Sequence, residues 1–163
     1  MVEVYDENFS MDDMEKILSF CKNSSYTFGE TDTDVTPPTG MVCNIKHDEP
    51  CIKIIIDKIM EMKPIVKTLK LERVYINCFA PSENPYFHVD NMKGGLTFIY
   101  YPDMQYSLDE LGETQILDNR DLIIGIKPRG GRILCFDSRL MHRATPFRTK
   151  HRFTIAVKYS IAV

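Results

Sequence analysis

The sequence predicts one α+β domain that is mainly β, with two N-terminal helices packed on one sheet of an antiparallel sandwich or jelly roll. Three observations carry this. Helical periodicity is confined to the first 64 residues, short β-rich runs follow one another from residue 73 with no helical segment between them, and 163 residues suit one core. Residues 1–72 then form a helical support and residues 73–163 the jelly-roll core of a single domain, 1–163.

Each element has a local cause. Ser10 and Asp13 make a weak capping box, and Met14, Ile17, Leu18 and Cys21 follow at i, i+3, i+4 and i+7, which predicts a short amphipathic helix over 11–22. Residues 29–40 are polar, with Pro37, Pro38 and bounding glycines, and read as a surface loop before a brief strand at 41–45. Pro50 suits the first turn of a second helix, whose apolar stripe (Ile52, Ile55, Ile56, Ile59, Met60) continues until Pro64. The strand-like runs are 73–79, 86–90, 96–101, 113–117, 121–127, 132–137 and 152–161.

Composition narrows the class. Apolar residues make up 44% and charged residues 26%, ordinary globular usage that excludes wholesale disorder. Five cysteines without a C-x-x-C pair indicate neither a disulfide framework nor a zinc knuckle, so they are expected as reduced, mostly buried thiols. No apolar run approaches the roughly 20 residues of a bilayer span, so no membrane partner is expected. The first fifteen residues are acidic, the opposite of a secretory leader, so the expected location is cytoplasmic. The net charge of −3 is segregated: nine acids against Lys16 and Lys22 in residues 1–34, and eight Lys or Arg against Asp137 in residues 127–152. The basic stretch suits a small anion or a solvated sheet rim better than nucleic acid, because aromatic side chains do not interleave it.

Two H-x-D/E-type spacings occur. His47-Asp48-Glu49 precedes a helix and reads as a solvated helix start, whereas His88-Val89-Asp90 ends a strand-like run and places both side chains on one face. His142 lies 54 residues downstream of His88 at the start of another β-prone run, and Arg152 opens the last strand. Two histidines and one carboxylate on neighbouring strands form a facial triad. Such a triad leaves three open positions on a six-coordinate metal and suits non-haem Fe(II) rather than zinc. Arg152 is placed to hold a carboxylate bidentately, a task in which lysine acts only as a point charge.

The ordered set His88-Val89-Asp90-Asn91, Thr97-Phe98-Ile99-Tyr100-Tyr101, Gly112-Glu113-Thr114, Ile126-Lys127-Pro128-Arg129-Gly130-Gly131-Arg132, Ile133-Leu134-Cys135-Phe136-Asp137, His142-Arg143-Ala144-Thr145-Pro146 and Arg152-Phe153-Thr154-Ile155 resembles the prolyl-4-hydroxylase-like 2-oxoglutarate- and Fe(II)-dependent dioxygenases over about residues 73–161. The resemblance implies a double-stranded β-helix with His88, Asp90 and His142 as the catalytic iron ligands. It also implies that Arg152, Thr154 and Tyr101 bind the distal carboxylate of 2-oxoglutarate. Its chemistry is conversion of 2-oxoglutarate and O2 to succinate and CO2 with hydroxylation of a substrate C–H bond, ascorbate being a possible helper. A peptide, protein or amino-acid substrate, most specifically a prolyl residue, follows from the same resemblance.

Departures from the family pattern are specific. The family tyrosine about ten residues before the H-x-D falls at Cys78 or Phe79, so its hydrogen bond is missing or supplied by Tyr75. A family double glycine is Leu111-Gly112, and there is no tryptophan, whereas oxygen-sensing relatives carry one near Lys158. The collagen-modifying type resembles the chain less, because it has lysine at the Arg152 position. The alternatives are an AlkB-like nucleic-acid demethylase, whose second arginine would fall at Lys158, and a non-catalytic cupin-like metal-binding module. His151 is expected to point outward, and Asn91 and Arg143 to be structural.

Overall fold

The structure, a computed structural model, describes residues 1–6 and 8–161. Its elements are β1 (Val2–Tyr5), α1 (Met11–Asn23), β2 (Thr27–Phe28), β3 (Met41–Asn44), α2 (Pro50–Met62), β4 (Leu69–Phe79), β5 (Gly95–Tyr100), β6 (Thr114–Leu117), β7 (Ile123–Ile126), β8 (Ile133–Asp137), β9 (His142–Ala144) and β10 (Arg152–Ile161). The seven-stranded sheet runs β1-β8-β5-β10-β4-β3-β2 and the three-stranded sheet β7-β6-β9, each neighbouring pair antiparallel. This is the expected jelly roll, with both helices on the outer face of the larger sheet.

The helices form where the local signals put them. Ser10 caps α1 by accepting from the Asp13 amide at 3.1 Å and donates its own proton to the Asp13 carboxylate at 2.8 Å. Pro50 starts α2, which ends before Pro64. Ile17 and Cys21 of α1 and Ile52, Ile55 and Ile59 of α2 are fully buried against Ile76, Phe98, Cys135, Ile155 and Val157 of the large sheet. A second core lies between the two sheets, from Val42, Tyr75, Ile99, Tyr101, Ile116, Leu134, Phe136 and Ala156. The five cysteines are free thiols; Cys21, Cys78 and Cys135 are buried, and Cys43 and Cys51 partly so.

Two expectations are corrected. Residues 1–72 are not helical support alone, because β1 and β2 lie in that stretch besides the expected β3 and extend the large sheet at both ends. A four-residue and a two-residue strand carry little local pattern, and what orders them is the open edge of β8 on one side and of β4 on the other. Residues 86–90 do not form a strand either. They make one isolated bridge, His88 to His142, after which the amides of Asp90 and Asn91 both turn onto the Ser138 carbonyl.

One irregularity positions the site. Along β10, Lys158 faces Arg73 and Tyr159 faces Leu71, so Glu72 is an extra residue in β4. Leu69 and Leu71 pack on the helix side before this bulge, and Val74 and Ile76 do so after it. The added residue restores the alternation and sends Tyr75, Asn77 and Phe79 to the inter-sheet side, where they line a cavity.

Candidate active site

The reciprocal hydrogen bonds between His88 and His142, both 2.9 Å, set the two histidines directly opposite each other, with ring centroids 4.5 Å apart. Asp90 reaches the same point, and one donor atom from each of His88, Asp90 and His142 lies within 4.8 Å of the others. Each histidine places its Nδ1 on a carbonyl two residues earlier, His88 on Tyr86 at 3.1 Å and His142 on Leu140 at 2.9 Å. A carbonyl only accepts, so both Nδ1 atoms carry the proton and both Nε2 atoms offer a lone pair to the cluster. Asp32 adds a carboxylate oxygen 3.3 Å from Nδ1 of His88.

The Asp90 side chain is 2% exposed, yet both oxygens are partnered. Oδ1 is ion-paired with Lys158 Nζ at 2.7 Å, and Oδ2 accepts from the Thr97 hydroxyl at 2.6 Å. Burial favours the neutral acid, but the neighbouring His88, Lys158 and His142 overcome it and hold the carboxyl well below its usual range. Burial pushes His142 down to about 4, against the pull of Asp90. His88 is pushed down by burial but raised overall by the neighbouring Asp90 carboxylate, the Tyr86 carbonyl and the charge of Asp32. The cluster therefore comprises an ionised carboxylate, a His142 ring that is neutral above about 4 and a His88 ring that holds its proton more readily, a donor set suited, once His88 is deprotonated, to one divalent transition-metal ion.

The cluster opens into a cavity of 220 Å³ whose other end holds Arg152, Thr114 and Thr154. Arg152 is 1% exposed, and its guanidinium donates to the Gly112 carbonyl at 2.8 Å and to Thr114 Oγ1 at 3.1 Å. Both acceptors are neutral, and no carboxylate hydrogen-bonds to Arg152 among the described residues. Burial accordingly lowers its pKa. A buried, uncompensated guanidinium at the end of a small cavity is a receptor for an anion, and its planar fork fits a carboxylate.

The predicted residues are thus brought together, with two refinements. Thr154 lines the cavity beside Arg152, whereas Tyr101 is not among the residues lining it. Tyr101 donates to Thr114 Oγ1 at 2.7 Å, and its ring centroid lies 5.9 Å from the Arg152 guanidinium carbon, so it touches Thr114, which lines the cavity, without lining the cavity itself. Cys78 faces the helix side, and the cavity positions near it are Asn77 and Phe79, with Tyr75 two residues further back. His151 is exposed, as expected, and Arg143 bonds Gln115 and stacks on Phe87.

Sequence reasoning missed Asp32 and Lys158. Glu30, Thr31, Asp32 and Thr39, all from the polar segment read as a surface loop, line the mouth of the cavity. Asp32 fixes that loop by accepting from the Tyr86 amide at 2.7 Å and the Thr39 hydroxyl at 3.2 Å. A signal for Lys158 was present: residues 152, 154, 156 and 158 share a face, so the lysine belongs on the side of Arg152.

No protein-family model matches the chain, and no curated protein matches it. Solved structures do match. A prolyl hydroxylase from Trichoplax adhaerens, in complex with a hypoxia inducible factor oxygen degradation domain peptide fragment, aligns over 98% of this chain and 83% of its own with a TM-score of 0.79 and 17% identity. A Pseudomonas putida prolyl-4-hydroxylase aligns over 99% and 93% with a TM-score of 0.80 and 10% identity. The fold is that of the prolyl hydroxylases and related 2-oxoglutarate and Fe(II) oxygenases. The same oxygenase fold is shared with HygX from Streptomyces hygroscopicus, solved with nickel, 2-oxoglutarate and hygromycin B bound (TM-score 0.73, 14% identity, 98% of this chain and 82% of that one). Structures at this level of similarity therefore hold molecules as different as a peptide fragment and hygromycin B.

Proposed function

We propose that this protein is a 2-oxoglutarate- and Fe(II)-dependent dioxygenase that hydroxylates a C–H bond, with a prolyl residue of a peptide or protein as the substrate. The observation that carries the reading is the pairing, in one small cavity, of a three-donor cluster with a buried arginine that lacks an anion. A dicarboxylate that touches both ends satisfies both.

In this reading His88, Asp90 and His142 hold the iron, and Arg152 holds the distal carboxylate of 2-oxoglutarate, with Thr114 and Thr154 beside it. The iron supplies the activation of O2. The protein's part is orientation and exclusion of water. Nδ1–H bonds aim both histidines, Lys158 and Thr97 fix Asp90, and the apolar walls of Val42, Ile99 and Phe79 strengthen each charge interaction inside. The prolyl assignment draws on the peptide held by the Trichoplax enzyme, whose fold this chain shares.

The test is succinate formation by the purified protein with Fe(II), ascorbate and 2-oxoglutarate, with and without O2 and proline-rich peptides. Oxygen-dependent succinate stimulated by a peptide is expected. No succinate although Fe(II) and 2-oxoglutarate bind would count against proline-rich peptides as the substrate, and failure of both to bind to the folded protein would put the non-catalytic binding module first.

The titration directions give a further expectation. Metal binding must displace the proton from His88, whose pKa lies above the ordinary histidine value, but not from His142, which stays neutral down to about 4. Apparent Mn(II) affinity, measured by titration calorimetry, should therefore fall about tenfold per pH unit below the His88 pKa, with one proton released per metal. A two-proton dependence should emerge only near pH 4.

A further inference from the structure

Lys158 occupies an unusual place. Its ammonium lies 2.7 Å from Oδ1 of Asp90 and 4.9 Å from the Tyr75 ring centroid, on the wall between the triad cavity and a second, open cavity of 420 Å³. The second cavity lies behind Asp90 and is lined also by Arg73, Thr97 and Ser138. Both histidine Nε2 atoms stand 3.5–3.6 Å from the Asp90 oxygens, beyond good hydrogen-bond range. Among the described residues, the cation in closest ion-paired contact with this carboxylate is therefore Lys158, at 2.7 Å. A carboxylate that is 2% exposed is costly to keep ionised without such a partner.

We propose that Lys158 is a positioning residue that acts as a stand-in cation: it compensates and orients Asp90 while the metal site is empty, so that the site is formed before metal arrives. The proposal rests on reading the triad as a metal centre. When a divalent ion binds Asp90, the carboxylate no longer needs the ammonium, and like charges oppose each other. The second cavity gives the flexible lysine side chain room to withdraw while its Cα stays fixed in β10. Metal binding is thereby uncoupled from folding of the site, in contrast to small metal proteins whose ligands assemble only around the ion.

The test compares melting temperatures of the wild-type chain, Lys158→Met and Lys158→Arg in EDTA and with saturating Mn(II), a redox-stable probe. Methionine keeps the length and removes the charge. Lys158→Met should lose roughly 6–20 °C in EDTA, the shift expected for an uncompensated buried charge in a chain of this size. Mn(II) should restore most of that loss, so its stabilising shift is larger in Lys158→Met than in the wild type or Lys158→Arg. A lysine that only packs would lower both melting temperatures equally, and an equal Mn(II) shift in all three proteins overturns the proposal. If Lys158→Met does not fold, the comparison moves to an Asp90→Asn background, in which the carboxylate charge is already gone. There Lys158→Met should fold and cost little; a double variant as unstable as the single one defeats the proposal. If calorimetry detects no Mn(II) binding to the wild-type chain, the metal-centre reading itself fails and takes this inference with it.

Discussion

Arg152→Leu is expected to lose 2-oxoglutarate binding while leaving the fold intact. Truncating one partner of a buried charge pair costs about 2–5 kcal/mol, which corresponds to an affinity loss of roughly 30- to 5,000-fold. The free protein tells a different story, because there the guanidinium is buried against only the Gly112 carbonyl and the Thr114 hydroxyl. Replacing an uncompensated buried charge by an apolar side chain relieves a desolvation cost, offset by the hydrogen bonds lost. The melting temperature without 2-oxoglutarate should thus change little, and the stabilisation that 2-oxoglutarate confers on the wild type should vanish. Arg152→Lys should fall between, since lysine keeps the charge without the fork. A variant that binds 2-oxoglutarate normally would place the anion site elsewhere.

Asp90→Ala is expected to act in the opposite way on stability and more severely on turnover. It deletes the anionic member of the triad, so the loss of oxygen-dependent succinate should exceed the roughly 100-fold that loss of an outer-sphere partner causes. It also leaves the Lys158 ammonium without its carboxylate and Thr97 without its acceptor. Breaking a buried ion pair from one side costs about 3–5 kcal/mol, and the 22% exposure of the Lys158 side chain places the effect toward the lower end. Urea unfolding without metal measures it. Asp90→Asn, which retains the shape, should be milder on stability and equally inactive, and equal stability of all three forms would show that Lys158 finds water as readily as it finds Asp90.

The parts of this molecule that could be read from the sequence are those whose cause is local. The caps and apolar stripes of α1 and α2 lie within one turn of each other, and the alternation of β10 places Arg152 and Thr154 on one face without reference to the rest of the chain. The triad could be read because its members stood in an ordered series of motifs. What could not be read depends on distant partners. β1 is ordered by the edge of β8, residues 86–90 yield to a turn dictated by the Ser138 carbonyl, and the polar loop at 29–40 becomes the rim of the cavity because Asp32 finds the Tyr86 amide. Glu72 gives no local sign of being an extra residue, since a bulge is defined only against its neighbouring strand. The sequence alternation puts Tyr101 on the inter-sheet face, but its hydrogen bond to Thr114 depends on β6, 13 residues away, and has no local sign.

The position of β10 bears on how the chain is made. It is the last strand in sequence and lies in the middle of the large sheet, between β5 and β4, pairing with the one over Ile155–Ser160 and with the other along its whole length. A nascent chain that has not yet reached residue 152 has both of those strands but nothing to join them, and each shows an unpaired, largely apolar edge. Arg152 and Lys158, which hold the two ends of the proposed reaction centre, arrive in the same final segment. Until β10 has paired, the two halves of the large sheet and their hydrophobic layers are not joined, and the edges of β4 and β5 are open to pairing with the wrong neighbour.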